Sequence, residues 1–363
     1  MQPWTPGHLP PENIDYAALA EPMAAASGAL GRLDGLLIHM TNPQLLLGPL
    51  RRREVVLSSR IEGTQATVED MLEFGADPAY IETGKRDDVE EVANYEVALN
   101  FATDMAADRP LTLGLILDTH RELMRGVRGE NKNPGKIRKG QNLIGTPGDT
   151  TASATFVPPV PAVIEAFMVE WQEYISKPIG DPLVQAAIMH AQFECLHPFD
   201  DGNGRMGRLL IPLLLHKRGA LSTPSFYLSD YLEQHRTEYY ARLLSVSQDA
   251  DWTGWIAFFL RAATAQAINN VERAKRLMKL HEATRLIVSE ITASRHSFTL
   301  TEVMFRHPFF RISDVQAAGI PKAGAHAMVK RLEQERIVRV RHEAAGPKGA
   351  LYYFVELAAV IRS

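Results

Sequence analysis

The sequence predicts a mostly α-helical protein, with a β-hairpin set into a helical core and a winged-helix domain at the C-terminal end. Three observations carry that expectation. Apolar residues recur at helical spacing along most of the 363 residues. One stretch, from Pro134 to Pro161, breaks the pattern with two short extended runs around a Thr146-Pro147-Gly148-Asp149 turn. Beyond Leu280 the order becomes helix, helix, helix and two strands around a glycine-bearing tip, which is the order of a winged helix. The length implies more than one domain, and the patterns divide the chain into 1–105, 106–270 and 275–363.

Composition narrows the functional class. Apolar residues make up 45% and charged residues 23%, as in ordinary soluble proteins. A net charge of −4 gives no global attraction to nucleic acid or acidic membranes. The single cysteine, Cys195, excludes an internal disulfide and fits a reducing cytoplasm. The longest apolar run, Leu209 to Leu215, is too short to span a bilayer, and no leader pattern opens the chain. A cytoplasmic protein without a membrane partner is expected.

In order, Met1 to Glu12 carries four prolines and reads as an extended arm. Helical patterning starts near Tyr16. Asn42-Pro43 reads as an N-cap with a first-turn proline, Gly48-Pro49 as an interruption, and Leu50 to Ile61 as a resumed helix that Gly63 closes. Thr67 then caps a helix with Glu69 and Asp70 in its first turn. Ile61 to Asn100 holds eleven acidic and two basic residues, read as a solvated acidic face. Helices follow over Val89 to Ala107 and Leu111 to Arg125. Pro161 to Ile175 has an apolar stripe at Val163, Phe167 and Trp171, and Asp181-Pro182 starts the next helix. His190 on that helix reads as a packing residue, since no metal-binding spacing surrounds it.

That helix runs into His197-Pro198-Phe199-Asp200-Asp201-Gly202-Asn203-Gly204-Arg205-Met206-Gly207-Arg208, followed by an apolar helical run. The layout is that of a phosphate site. Glycines let backbone N–H groups approach an anion, and a helix N-terminus adds free donors and the positive end of its dipole. Arg205 and Arg208 share a helical face and reach successive phosphates. Asp201 is a hard oxygen ligand suited to Mg²⁺, and His197 is the natural proton acceptor.

This stretch resembles the signature of the Fic family, His-x-Phe-x-(Asp/Glu)-Gly-Asn-Gly-Arg-x-x-Arg, with every fixed position filled. The resemblance implies a Fic-type helical core that transfers AMP from Mg-ATP to a Ser, Thr or Tyr hydroxyl of a target protein. It also implies that the hairpin is a flap, pairing its backbone with the target segment. The residues alone leave a plain connecting hairpin equally open. Ser58-Ser59-Arg60-Ile61-Glu62-Gly63 matches the Ser/Thr-x-x-x-Glu-Gly/Asn inhibitory motif of some members, so Glu62 would pair with Arg208 and restrain transfer. In the implied mechanism His197 deprotonates the hydroxyl and Asp201 holds Mg²⁺. Gly202, Asn203 and Gly204 stabilise charge at the α-phosphate, while Arg205 and Arg208 grip the β- and γ-phosphates. Tyr239 and Tyr240 correspond to a pair that walls the adenine pocket in relatives, a core role staying open for at least one. Ser247 stands where some members have an asparagine. Self-modification is expected.

Later helices are read over Asp251 to Leu260, Ala262 to Leu280 and His281 to Ala293, then Thr301 to Phe305 before a break at Pro308. Ile312 to Gly319 and a helix over Lys322 to Glu335 precede strands at Val338 to Arg341 and Leu351 to Phe354. Gly319 to Gly349 carries seven Lys/Arg against three acids. That face could contact DNA phosphates, dock a protein or form a homodimer. Two rival functions stay open: a hydrolase that removes AMP with the same residues, and a DNA-binding regulator with a nucleotide-sensing core.

Overall fold

The computed structural model describes residues 2–40, 43–126, 130–146, 148–344 and 348–362. In chain order its helices are α1 (Tyr16–Ile38), α2 (Pro43–Ile61), α3 (Val68–Ala76), α4 (Arg86–Asp108), α5 (Leu113–Leu123), α6 (Pro161–Ser176), α7 (Pro182–Leu196) and α8 (Asn203–Lys217). They continue as α9 (Ser229–Gln234), α10 (Arg236–Asp249), α11 (Trp252–Thr292), α12 (Ser297–Arg306), α13 (Ile312–Ala317), α14 (Lys322–Gln334) and α15 (Val355–Arg362). Strand β1 (Phe309–Arg311) precedes α13, and β2 (Val338–His342) and β3 (Leu351–Phe354) precede α15. The chain forms two compact units, one of Met1–His39, Glu54–Gln65 and Glu90–Ile268, the other of Met40–Arg53, Ala66–Val89 and Asn269–Ser363. Among the described residues no helix is long and apolar enough to cross a membrane.

The first unit is built around α7. Asp181 caps it, its side chain accepting from the N–H groups of Leu183 and Val184, with Pro182 in the first turn. Every residue of α7 except Pro182 and Glu194 is buried, because α1, α6, α8 and α10 pack round it. Such a helix can be apolar on all sides. Two buried indoles are satisfied on its carbonyls, Trp171 Nε1 donating to Met189 O at 2.9 Å and Trp255 Nε1 to Ala187 O at 2.8 Å. On α6 the buried residues are Ile164, Met168, Trp171, Tyr174 and Ile175; Trp171 is buried as expected, while Val163 and Phe167 are only half-buried.

Several expectations need correction. α2 runs unbroken through Gly48 and Pro49: one lost backbone hydrogen bond is tolerated where Leu47 and Leu50 are buried on either side of the proline. The expected cap Asn42 lies outside the described residues. The three helices expected between Asp251 and Ala293 are one 41-residue helix, α11, which contains no proline and no glycine beyond Gly254. The hairpin is reduced among the described residues to one antiparallel bridge, Ile144↔Phe156, and Pro147 of its turn lies outside them.

In the second unit the sheet order is β1-β3-β2, all neighbours antiparallel, with Phe309 opposite Tyr353 and Val338 opposite Phe354. β1 and α15 had no counterpart in the sequence reading. Gly346 and Pro347 of the expected tip lie outside the described residues. The acidic run is not simply a solvated face. Glu73, buried on α3, binds Arg341, and Asp77 binds Lys348 and lies 3.6 Å from Arg311. Arg311 also donates to Tyr80 Oη at 2.9 Å, and the His342 ring stacks on Tyr80 with centroids 3.8 Å apart.

Candidate active site

α7 ends at His197, whose backbone is left-handed (φ 50, ψ 59). A histidine held there is costly and persists only when neighbours determine it. Its N–H donates to Phe193 O at 3.0 Å and its carbonyl accepts from Arg138 Nε at 2.8 Å. The ring Nδ1 lies 3.3 Å from Glu194 O. Donation from Nδ1–H to that carbonyl leaves Nε2 with its lone pair free, the tautomer a general base needs. Burial pushes the imidazole down to about 4, opposed by the Glu194 carbonyl and assisted by the Arg138 charge, so it is neutral near pH 7.

The loop after His197 is closed by Asn203. Its Oδ1 accepts from Phe199 N–H at 2.8 Å and its Nδ2 donates to Phe199 O at 2.9 Å. The carboxamide is therefore turned into the loop, and only the Asn203 backbone remains for an anion, not the side chain expected at the α-phosphate. Phe199 is buried and stacks on His120, ring centroids 3.7 Å apart. His120 Nδ1 accepts from Gly135 N–H at 2.8 Å, so Nε2 carries the proton and donates to Asp201 O at 2.9 Å. Gly202 is left-handed (φ 77), and a Cβ there would come 2.9 Å from the Met124 sulfur; no other residue fits both demands. α8 then starts at Asn203, leaving its first N–H groups without intrahelical partners.

The two arginines diverge. Arg208, buried, donates from Nε to Ser58 Oγ at 2.8 Å and from Nη2 to Ser58 O at 3.0 Å and Glu62 Oε1 at 2.6 Å. Glu62 follows the end of α2, where Gly63 (φ 105) turns the chain. Burial opposes ionisation of Glu62, but the charge and hydrogen bond of Arg208 outweigh it and hold the carboxyl below its usual range. Its carboxylate lies over Gly204, where an added Cβ would collide with Oε1. Arg205 instead lies 2.7 Å from Glu91 Oε1 and 3.8 Å from Asp201 Oδ1. It is not among the residues that line the adjacent cavity, although its spacing suggested a phosphate role.

A cavity of about 530 Å³ opens beside these groups. Glu62, His197, Gly204 and Arg208 line one part of it, and Tyr240, Leu243 and Leu244 line another, with Ile144 and Phe156 of the hairpin. Tyr239 also lines it, yet its hydroxyl bonds His190 Nε2 at 2.8 Å in the core; Tyr240 is 41% exposed and carries Arg236 over its ring. The Ser247 hydroxyl donates to Leu244 O at 2.8 Å. Asp201 is 48% exposed, with Oδ1 accepting from Gly202 N–H at 2.6 Å. No group of three or more potential ligands gathers round it among the described residues. One hard carboxylate suits Mg²⁺ that takes its other ligands from nucleotide phosphates and water.

Two family models match the chain, the Fic/DOC family N-terminal region over residues 20–104 and the Fic/DOC family over residues 110–215. The chain belongs to the Fic/DOC family. Its matched core holds the whole loop from His197 to Arg208, and Glu62 lies in the matched N-terminal region. Among curated relatives, protein adenylyltransferase fic-1 of Caenorhabditis briggsae is 33% identical over 159 residues, 42% of this chain and 28% of that protein. Protein adenylyltransferase Fic of Aedes aegypti is 28% identical over 177 residues, 47% of this chain and 32% of that one. The chain thus spans a third or less of these relatives. Among solved structures, a Fic family protein from Desulfovibrio desulfuricans G20 aligns over 96% of this chain and 98% of its own, with a TM-score of 0.63 and 20% identity. Fic-1 of C. elegans aligns over 73% and 75%, with a TM-score of 0.55 and 21% identity. Both show a shared Fic fold.

Sequence reasoning missed four residues that shape the site. Glu91 sat within an acidic run read as solvated. His120 and Arg138 are lone polar residues with no motif around them. Glu194, whose carboxyl burial pushes up to about 8, lines the cavity and looked like any helical glutamate.

Proposed function

We propose that this Fic protein transfers AMP from Mg-ATP to a Ser, Thr or Tyr hydroxyl of a protein, itself included, and that Glu62 restrains the reaction. The observation that carries this is one cavity wall holding a neutral imidazole, the open N-terminus of α8 and a buried arginine already bound to a carboxylate. His197 Nε2 takes the proton as the hydroxyl oxygen attacks the α-phosphorus, and pyrophosphate leaves. The Gly202–Gly204 backbone and the α8 N-terminus stabilise charge growing on the α-phosphate. Mg²⁺, when bound by Asp201, would neutralise phosphate charge. Arg208 holds the γ-phosphate once Glu62 releases it, and Arg205, 3.8 Å from Asp201 Oδ1, supports that carboxylate. Tyr240 faces the adenine end, and Tyr239 supports it from the core.

The reverse reading, hydrolytic removal of AMP, is kept because Glu62 is ionised and its side chain 34% exposed in the cavity wall, where a carboxylate can orient water. Residues 1–105, 106–270 and 275–363 are proposed as regulatory, catalytic and winged-helix regions, the last supported by the sheet order β1-β3-β2 with α12 to α14. Arg341 and Lys348 are already engaged by Glu73 and Asp77, which favours protein docking or a homodimer over DNA binding for that region. Mass spectrometry of the Glu62→Gly protein after incubation with Mg-ATP tests the main reading. A gain of one AMP supports it, and an unmodified chain with no AMP passed to any added protein sinks it.

A further inference from the structure

Arg138 lies between α5 and the hairpin, and at 2% exposure it is among the most deeply buried charges in the first unit. Its guanidinium meets carbonyl oxygens only. Nε donates to His197 O at 2.8 Å, Nη1 to Gly140 O at 2.8 Å and Nη2 to Pro159 O at 2.6 Å. Its backbone N–H adds a bond to Pro198 O at 2.9 Å. No ion pair to it within 4 Å occurs among the described residues, so the cost of burying the charge is met chiefly by charge-assisted hydrogen bonds, with the Asp200 charge also favouring the cation.

The identity of those carbonyls matters. Gly140 and Pro159 are the two ends of the hairpin segment, and the bridge Ile144↔Phe156 between them lines the cavity. His197 is the proton acceptor. Two further contacts fasten the same parts, Asn142 Nδ2 donating to Phe199 O at 2.8 Å and Gln141 Nε2 to Pro158 O at 2.8 Å. A planar fork that holds three chain segments at once fixes their relative positions; a point charge on a flexible stem does not. Arg138 also helps keep the imidazole unprotonated.

We propose that Arg138 is a positioning residue that registers the two hairpin runs bridged at Ile144 and Phe156 on His197, so that a protein hydroxyl laid along them, rather than water, receives AMP. The inference rests on the transfer reading above. A hydroxyl-bearing segment reaching Nε2 passes the hairpin residues in the cavity wall, and an exposed strand edge can align it through backbone bonds. Water needs no such guide. With a protein hydroxyl the products are the phosphodiester and pyrophosphate; with water they are AMP and pyrophosphate. A displacement of about 1 Å between hairpin and imidazole can cost about 10²-fold in transfer, while water still finds the α-phosphorus.

The test uses the full chain carrying Glu62→Gly, with Arg138→Lys or Arg138→Gln added. Initial rates of AMP attachment to protein and of free AMP release are measured together with nucleotide affinity. The expected result is a ratio of attachment to release lowered about tenfold or more, with nucleotide affinity within about twofold of the parent. A ratio unchanged within about twofold overturns the proposal, as does a loss of attachment, release and affinity in parallel, which a purely structural arginine would give. Should the glutamine variant not fold, the lysine variant keeps the charge and one bond and decides the matter. A parent that neither attaches nor releases AMP contradicts the transfer reading itself, and the inference falls with it.

Discussion

Around α8 the arginines themselves are out of water: Arg208 and Arg205 are both buried, the first against Glu62 in the cavity wall and the second against buried Glu91. At the three-stranded sheet of the second unit, Arg341 and Lys348 bind Glu73 and Asp77 with side chains 45% and 54% exposed. The pairs have similar chemistry and different consequences. A buried arginine cannot turn to solvent when its acid leaves, so the acid can be exchanged only for another anion, which under the proposed function is a phosphate. A half-exposed pair has water as an alternative and supplies cohesion worth little.

The contrast is sharpest at the groups that line the cavity. His197→Ala removes the proposed proton acceptor and leaves the proposed phosphate-binding groups in place. AMP transfer should fall by about 10²–10⁴ with nucleotide binding retained, read by labelled ATP and by calorimetry. Near-normal transfer would remove His197 from its role.

Breaking the deeper pair should show as stability. Glu91→Gln leaves Asp201, at 3.8 Å, as the remaining ion pair of Arg205 among the described residues, with Glu62 acting at longer range, and losses of about 3–5 kcal/mol are usual when one partner of a buried pair is removed. The residual acid places the expectation at the lower end, measurable in urea unfolding. A change under about 1 kcal/mol would put this pair in the same class as those of the second unit.

Glu62→Gly should do the opposite of harm. The contact it breaks is of a kind worth roughly 1.5–3 kcal/mol, so transfer should rise by about one to two orders of magnitude. Arg208→Ala added to it should remove most of that gain. Removal of AMP should fall in the single variant. Unchanged transfer in Glu62→Gly would reduce the pair to structural cohesion, like that of Arg341.

The pH profile gives a smaller effect. A histidine titrating at about 6.5 loses roughly tenfold of its basic form between pH 7.5 and 5.5. Burial pushes His197 down to about 4, so protonation comes only as pH falls toward that value. Transfer by the folded protein should drop less than about twofold over that interval. A midpoint near 6.5 in kcat/KM would show the imidazole to be solvated.

Least is expected from the second unit. Arg341→Ala should cost about 1 kcal/mol or less, and less still in high salt, by thermal unfolding at two ionic strengths. A large, salt-insensitive loss would erase the distinction between the regions.

What the sequence determined by itself is what acts over a few residues. The loop from His197 to Arg208 was legible because glycine, carboxylate and arginine at fixed spacing have few other uses. Asp181 and Thr67 were legible as caps because each bonds N–H groups two or three residues on. The Glu62 to Arg208 pairing entered through a motif resemblance, since 146 residues separate the two. Tertiary structure alone decided which acids are buried, that Asn203 turns inward, that Arg205 meets Glu91 and that Arg138 ties the hairpin to His197. It also carried α2 through Pro49 and joined three expected helices into α11. The reason is physical: caps and spacing act within a turn or two of backbone and leave a local trace. A buried charge is placed by which elements pack against it, and that choice is made by apolar burial summed over residues far apart in the chain.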